Sequence, residues 1–104
     1  MTTPKQTPWG CVQHSEKLAD GIYMVYTASH GGIVLDDKRS RQLEHLKESN
    51  WLKSSKYWEE DCDWAVPFVK FQADIKASYP QEEFDLTLLA AKKTVEHYHK
   101  NVTL

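Results

Sequence analysis

A chain of 104 residues with 40% hydrophobic and 12% aromatic side chains has the size of one domain and enough apolar surface to offset chain entropy, which argues against disorder despite a mean hydropathy of -0.64. Its formal net charge of -2, from 13 basic and 15 acidic residues, offers no positive field to nucleic acid phosphates and falls well short of the carboxylate excess of a DNA mimic. Cys11 and Cys62 are the only cysteines and form no Cys-x-x-Cys pair, so neither a zinc site nor any other cofactor is indicated.

Residues 1–8, with Pro4 and Pro8 among threonines, read as an extended leader that becomes ordered around Trp9 and Gly10. Met1 to Gln6 carry no apolar run after a basic start, and no window approaches the ~20 apolar residues of a membrane span. No signal peptide, membrane contact or oxidising compartment is therefore expected, and both thiols should stay free in the cytoplasm. A short strand is predicted over Cys11 to Ala19, with Val12 and Leu18 as its main apolar positions.

Asp20-Gly21 is a turn dipeptide, followed by Ile22-Tyr23-Met24-Val25-Tyr26-Thr27, a run of β-branched and aromatic residues that predicts a strand. After Ser29-His30-Gly31-Gly32, a second such run, Ile33-Val34-Leu35, stops at Asp36-Asp37. Two strands about a glycine-containing turn predict an antiparallel hairpin. Asp36 or Asp37 can cap a helix that buries Leu43 and Leu46 and ends near Ser49-Asn50. Trp51 and Leu52 are expected to fold back on the core, and Ser54 or Ser55 to cap a second helix.

That second helix is predicted from about Lys56 toward Phe71. Trp58, Cys62, Ala65 and Val69 form one row at i,i+4 and i,i+3 spacing, Tyr57, Asp61, Trp64 and Phe68 its neighbour, and Glu59, Glu60 and Asp63 face water. Pro67 would kink it, or else break it into a strand at Val66 to Phe71. The last helix follows Tyr79-Pro80, with Phe84, Leu88, Ala91, Val95 and Tyr98 at helical spacing. The predicted fold is α+β, a single domain over 1–104: a small antiparallel hairpin or meander near the N-terminus packed against about three helices.

Three segments could carry chemistry. His30-Gly31-Gly32 joins a side chain that titrates near neutral pH to glycines able to reach positive φ and present bare N–H groups to an anion; a hairpin turn with a histidine beside it explains the same residues. Trp58-Glu59-Glu60-Asp61-Cys62-Asp63-Trp64 holds four carboxylates in five residues. Glu59, Glu60 and Asp63 could share a cation through i,i+3 and i,i+4 pairs, against the alternative of a solvated acidic face near a helix start. Asp61, at the edge of the apolar stripe, needs a partner, and the expected one is the His30 ring or the Gly31 and Gly32 N–H groups. Trp9, in Thr7-Pro8-Trp9-Gly10, is read as a core plug rather than a ligand platform. Cys62 reads as an inert core thiol, and His97 and His99, two residues apart on a helix, point to different sides.

The combination of Thr7-Pro8-Trp9-Gly10, Gly21-Ile22 leading to His30-Gly31-Gly32, and Tyr57-Trp58-Glu59-Glu60-Asp61-Cys62-Asp63-Trp64-Ala65 resembles an uncharacterised domain family found in phages, plasmids and other bacterial mobile elements. The resemblance covers roughly Thr7 to Phe71. The Tyr57-Trp58 order and Pro67 depart from the family's pattern. It implies a small accessory protein in the host cytoplasm, acting on a host or defence factor, and it brings no catalytic residue with it.

No phosphate-binding Gly-rich loop with lysine, Gly-x-Ser-x-Gly elbow or His-Glu-x-x-His is present. A non-enzymatic protein-binding module, with a host protein as partner, is thus the leading expectation. The alternatives are a small enzyme or ligand-binding domain with its site between the His30 loop and the Glu59–Asp63 segment, and self-association through Trp51, Trp58 and Trp64.

Overall fold

The computed structural model describes residues 3–100, 102 and 104. The fold is α+β. Strands β1 (Gln6–Thr7) and β2 (Gly10–Cys11) form a two-stranded ribbon, and β3 (His14–Ala19), β4 (Ile22–Tyr26), β5 (Gly31–Leu35) and β6 (Tyr57–Glu59) form an antiparallel sheet in that order. Part of the leader is therefore paired: Gln6 lies opposite Cys11 and Thr7 opposite Gly10, so Pro8 and Trp9 form a hairpin turn. Leu18 bulges between the Lys17–Tyr23 and Ala19–Ile22 pairs, and Asp20-Gly21 makes the two-residue turn. Gly21 has φ 78°, and a β-carbon there would overlap the Asp36 carboxylate, so its glycine answers both a backbone and a space requirement.

Side chains alternate across a strand with period two, and here both faces of the central strands are covered. Ile22, Ile33, Leu35 and Trp58 point into the main core, which the helices close. Tyr23, Val25 and Val34 point the other way, under Trp9, Val12 and Tyr57. Trp9 meets Tyr57 edge-on at 6.0 Å between ring centroids. Every residue of β5 is buried as a result.

Asp36 caps α1 (Asp37–Arg41), accepting the Arg39 N–H at 2.8 Å. The helix expected to run on to Ser49-Asn50 is divided: a 3-10 stretch, Glu44–Ser49, follows, and Leu43 and Leu46 are buried as predicted. Trp51 does not fold back on the core. It is 78% exposed, and its neighbour Asn50 is the buried residue. Neither Ser54 nor Ser55 caps a helix; Ser55 Oγ instead donates to Glu44 at 2.6 Å.

The largest departure from expectation concerns Lys56 to Trp64. Tyr57–Glu59 is the strand β6, paired with β5 through Gly32–Glu59, Ile33–Trp58 and Val34–Tyr57. Residues 60–64 turn, and α2 begins only at Ala65 (Ala65–Lys70), with Trp64 as its cap. Pro67 is the third residue of that helix, where an N–H has no intrahelical acceptor anyway, so no kink and no strand result. A break at Phe71 precedes α3 (Gln72–Ile75). The last helix, α4 (Gln81–Tyr98), buries Phe84 and Ala91, and Leu88 and Val95 pack against the core. Tyr98 stays exposed. Phe68 of α2 joins the helices by stacking on Phe84 at 6.0 Å and meeting Tyr79 edge-on at 5.8 Å.

Candidate functional site

The residues singled out in the sequence are distributed over two neighbourhoods. In the first, β5 and β6 bring His30, Gly31, Gly32, Glu59 and Glu60 alongside Trp9. The two glycines are strand residues and not turn residues, and neither has a positive φ. What they supply is space: a methyl group on Gly32 would overlap the Trp58 carbonyl and stand 2.7 Å from the Trp9 ring, and one on Gly31 would lie 2.5 Å from the Val25 carbonyl. Their place is a seam between strands and not the hairpin turn read from the sequence, with Glu60 N–H donating to the Gly31 carbonyl at 2.9 Å. His30 is exposed, and its backbone N–H donates to Thr27 Oγ1 at 3.2 Å.

The proposed tie between Asp61 and this loop falls, because Asp61 is exposed and belongs to the turn after β6. Glu59 is partly buried instead, and one of its carboxylate oxygens is enclosed with no hydrogen-bond partner. Burial, reinforced by the charge of Asp61, pushes its acid above the usual range, with His30 pulling weakly the other way. Among the described residues, no group of three or more His, Cys, Asp or Glu is placed to hold a metal ion, so Glu59, Glu60 and Asp63 are not assembled as a cation site.

Asp63 belongs to the second neighbourhood, which the sequence reading did not anticipate. Expected in water, it is 6% exposed. One carboxylate oxygen accepts the Trp51 N–H at 2.9 Å, and the other lies 3.4 Å from Nε2 of His99. Burial raises the Asp63 acid above its usual range, opposed by the Trp51 N–H and by His99. His99 caps the C-terminal end of α4 and is itself buried, with neither ring nitrogen in a hydrogen bond. Asp63 thus holds the Trp51 loop by a hydrogen bond and lies against His99 at the end of α4.

Asn50 holds that loop from below. Fully buried, it donates through Nδ2 to the carbonyls of Ser54 at 2.7 Å and Tyr57 at 2.5 Å, and its Oδ1 accepts the Leu52 N–H at 2.7 Å. Lys53 then turns the chain with φ 53° and donates its N–H to the Asn50 carbonyl at 2.9 Å. Above this frame Trp51 is 78% and Tyr98 62% exposed. Both line a cleft of about 390 Å³ with Asn50, Lys53, Cys62, Asp63 and His99.

Cysteine, histidine and aspartate in one cleft suggest a nucleophile and its base, but the electrostatics point elsewhere. Burial pushes the Cys62 thiol up, and Asp63, Asp61 and Glu59 push it further, whereas an activated thiolate needs positive surroundings. The His99 nitrogens are also enclosed. Cys62 is therefore not set up as a thiolate nucleophile. The sequence singles out Asp63, but as a water-facing carboxylate, because its partners Trp51 and His99 are distant in the chain; it marks Asn50 only as a helix end, although the partners of that side chain, Leu52, Ser54 and Tyr57, are local.

A family model described as a domain of unknown function, DUF7007, matches residues 2–102. No curated protein and no solved structure matches the chain.

Proposed function

The chain belongs to the DUF7007 family, for which no function is described, and from that premise we propose that it is a non-enzymatic protein-binding module whose contact surface centres on Trp51 and Tyr98. One observation carries this reading: the most exposed tryptophan sits on a loop whose backbone is fixed by Asn50 and Asp63. Tryptophan and tyrosine dominate the energetics of interfaces, and a surface already held in one conformation loses little entropy on binding. The electrostatics around Cys62 and the enclosure of His99 favour binding over catalysis. The Thr7-Pro8-Trp9-Gly10 and Trp58 to Trp64 resemblance supports a setting in a phage or mobile element, with a host or defence protein as the partner.

The test is affinity capture from bacterial lysates with wild-type protein, Trp51→Ala, Tyr98→Ala and Lys38→Ala, the last an exposed control on α1. A partner retained by wild type and Lys38→Ala but lost by the aromatic variants is expected. With that partner purified, Trp51→Ala should weaken binding by roughly 30-fold, the ~2 kcal/mol of a hot-spot side chain. Capture of nothing above background across several hosts, or equal capture by Trp51→Ala, would overturn the reading. Because Trp51 is exposed, its removal should change folding stability by no more than ~0.5 kcal/mol, which keeps the comparison clean.

A further inference from the structure

The outer face of α4 has a pattern that the core does not require. At about 100° per residue, Phe84, Leu88, Ala91 and Val95 share the inward direction, and Glu82, Leu86, Leu89, Ala90 and Lys93 lie opposite. Leu86 is 64% and Leu89 51% exposed. The order Glu82, Leu86, Leu89, Lys93 follows the 4-3-4 spacing of a helix–helix seam, with two leucines inside and opposite charges at the ends. Glu83 and Lys92, both exposed, flank it.

We propose that two copies of this chain associate through antiparallel packing of α4 on α4, about a two-fold axis level with residues 87 and 88. In that register Leu86 of one copy packs on Leu89 of the second and the reverse, and Glu82 meets Lys93 of the second copy at both ends. One self-complementary patch thus satisfies both chains, as a closed two-fold contact requires. A parallel arrangement would set Glu82 against Glu82 and Lys93 against Lys93 and align the helix dipoles, so charge selects the antiparallel one. An 18-residue helix is about 27 Å long and offers a strip about 10 Å wide, or roughly 300 Å² per copy. That is well below the ~800 Å² per partner of a standard interface, so the pair is a transient, concentration-dependent dimer.

Sedimentation equilibrium over a concentration series reaching the millimolar range tests it, with melting curves confirming that each variant folds. Wild type should shift from monomer to dimer as concentration rises. Leu89→Glu should abolish the shift. Glu82→Lys and Lys93→Glu each convert two attractive pairs into repulsive ones and should weaken the dimer about tenfold or more, and the double variant should return to within about threefold of wild type. Trp51→Ala should leave the equilibrium unchanged, which separates this contact from the partner surface. A monomer at every concentration, a double swap that fails to restore association, or a dimer lost with Trp51→Ala would each overturn the proposal.

Discussion

Asn50→Asp exchanges one amide for a carboxylate of the same shape, so any effect is electrostatic and not a matter of volume. In the wild-type protein the amide nitrogen donates to two carbonyls, Ser54 and Tyr57, and the oxygen accepts one N–H, from Leu52. Aspartate preserves only the last of these and turns a carboxylate oxygen toward two carbonyl oxygens in a site with no solvent exposure. Two lost bonds at about 1 kcal/mol each, plus the repulsion of a buried charge without a partner, give a loss of roughly 3–5 kcal/mol. For a domain of this length that corresponds to at least ~12 °C in melting temperature. Asn50→Ala forfeits three bonds, about 3 kcal/mol, and opens a small cavity. The two variants should therefore be comparably damaging at neutral pH even though only one changes volume. Acidification should rescue Asn50→Asp relative to Asn50→Ala, since a protonated carboxyl can donate again to one carbonyl. Thermal unfolding followed by circular dichroism at pH 7 and pH 4 measures both effects. An Asn50→Asp protein that melts with wild type at pH 7 would refute the claim that this side chain fixes the loop by donating.

Gly32→Ala should destabilise by about 1–3 kcal/mol or more through overlap with the Trp58 carbonyl; because that obstacle is backbone, adding Trp9→Ala should not rescue it, and urea denaturation of the single and double variants decides the point. Asp63 supplies a pH signature: its acid is raised in the folded state, chiefly by burial, so its contribution is fully present below the ordinary aspartate value of about 3.9 and is lost as pH rises through the raised value. The stability of wild type minus that of Asp63→Asn should accordingly grow as pH falls from 7 toward 4, and a difference that shrinks over that range would contradict the buried-carboxylate account.

The parts of the fold that the sequence made legible are those where one periodicity prevails locally. Ile22 to Tyr26 is dense in β-branched and aromatic residues, and α4 repeats Phe84, Leu88, Ala91 and Val95 at helical spacing; both form where expected. Residues 56–64 misled because Trp58, Cys62, Ala65 and Val69 happen to fall at helical 4-3-4 spacing, although Trp58 is buried by strand pairing with Ile33 and only Ala65 and Val69 lie in a helix. Pro67 held the missing information. A proline is best tolerated in a first turn, and placing it there puts the helix start within a few residues of Pro67, consistent with Ala65, and leaves Tyr57 to Glu59 free to extend. The site was less legible than the fold. The sequence brought the glycine segment, the acidic segment and Trp9 together, and the structure does so too, but through β-pairing and close approach in place of a helix laid against a glycine hairpin turn.

The four tryptophans show why burial could not be read from composition. Trp58 lies on a sheet strand with a covering layer of helices, and its indole N–H reaches the Ser55 carbonyl at 2.9 Å, so complete burial leaves no polar atom unsatisfied. Trp9 and Trp64 are half-buried at opposite sides of the sheet, one over Gly32 and one edge-on to Phe68 at 5.5 Å. Trp51 differs because its backbone, not its ring, is what the fold uses: its N–H is bound to Asp63 while the ring is left outside. Asparagine and aspartate anchors at positions 50 and 63 thereby free the side chain at 51 from any structural duty. On the proposed reading, the three Asn50 hydrogen bonds and the Asp63 carboxylate hold the loop so that one exposed indole is presented to a partner, since a loop needing only to connect would be stable with a polar residue there.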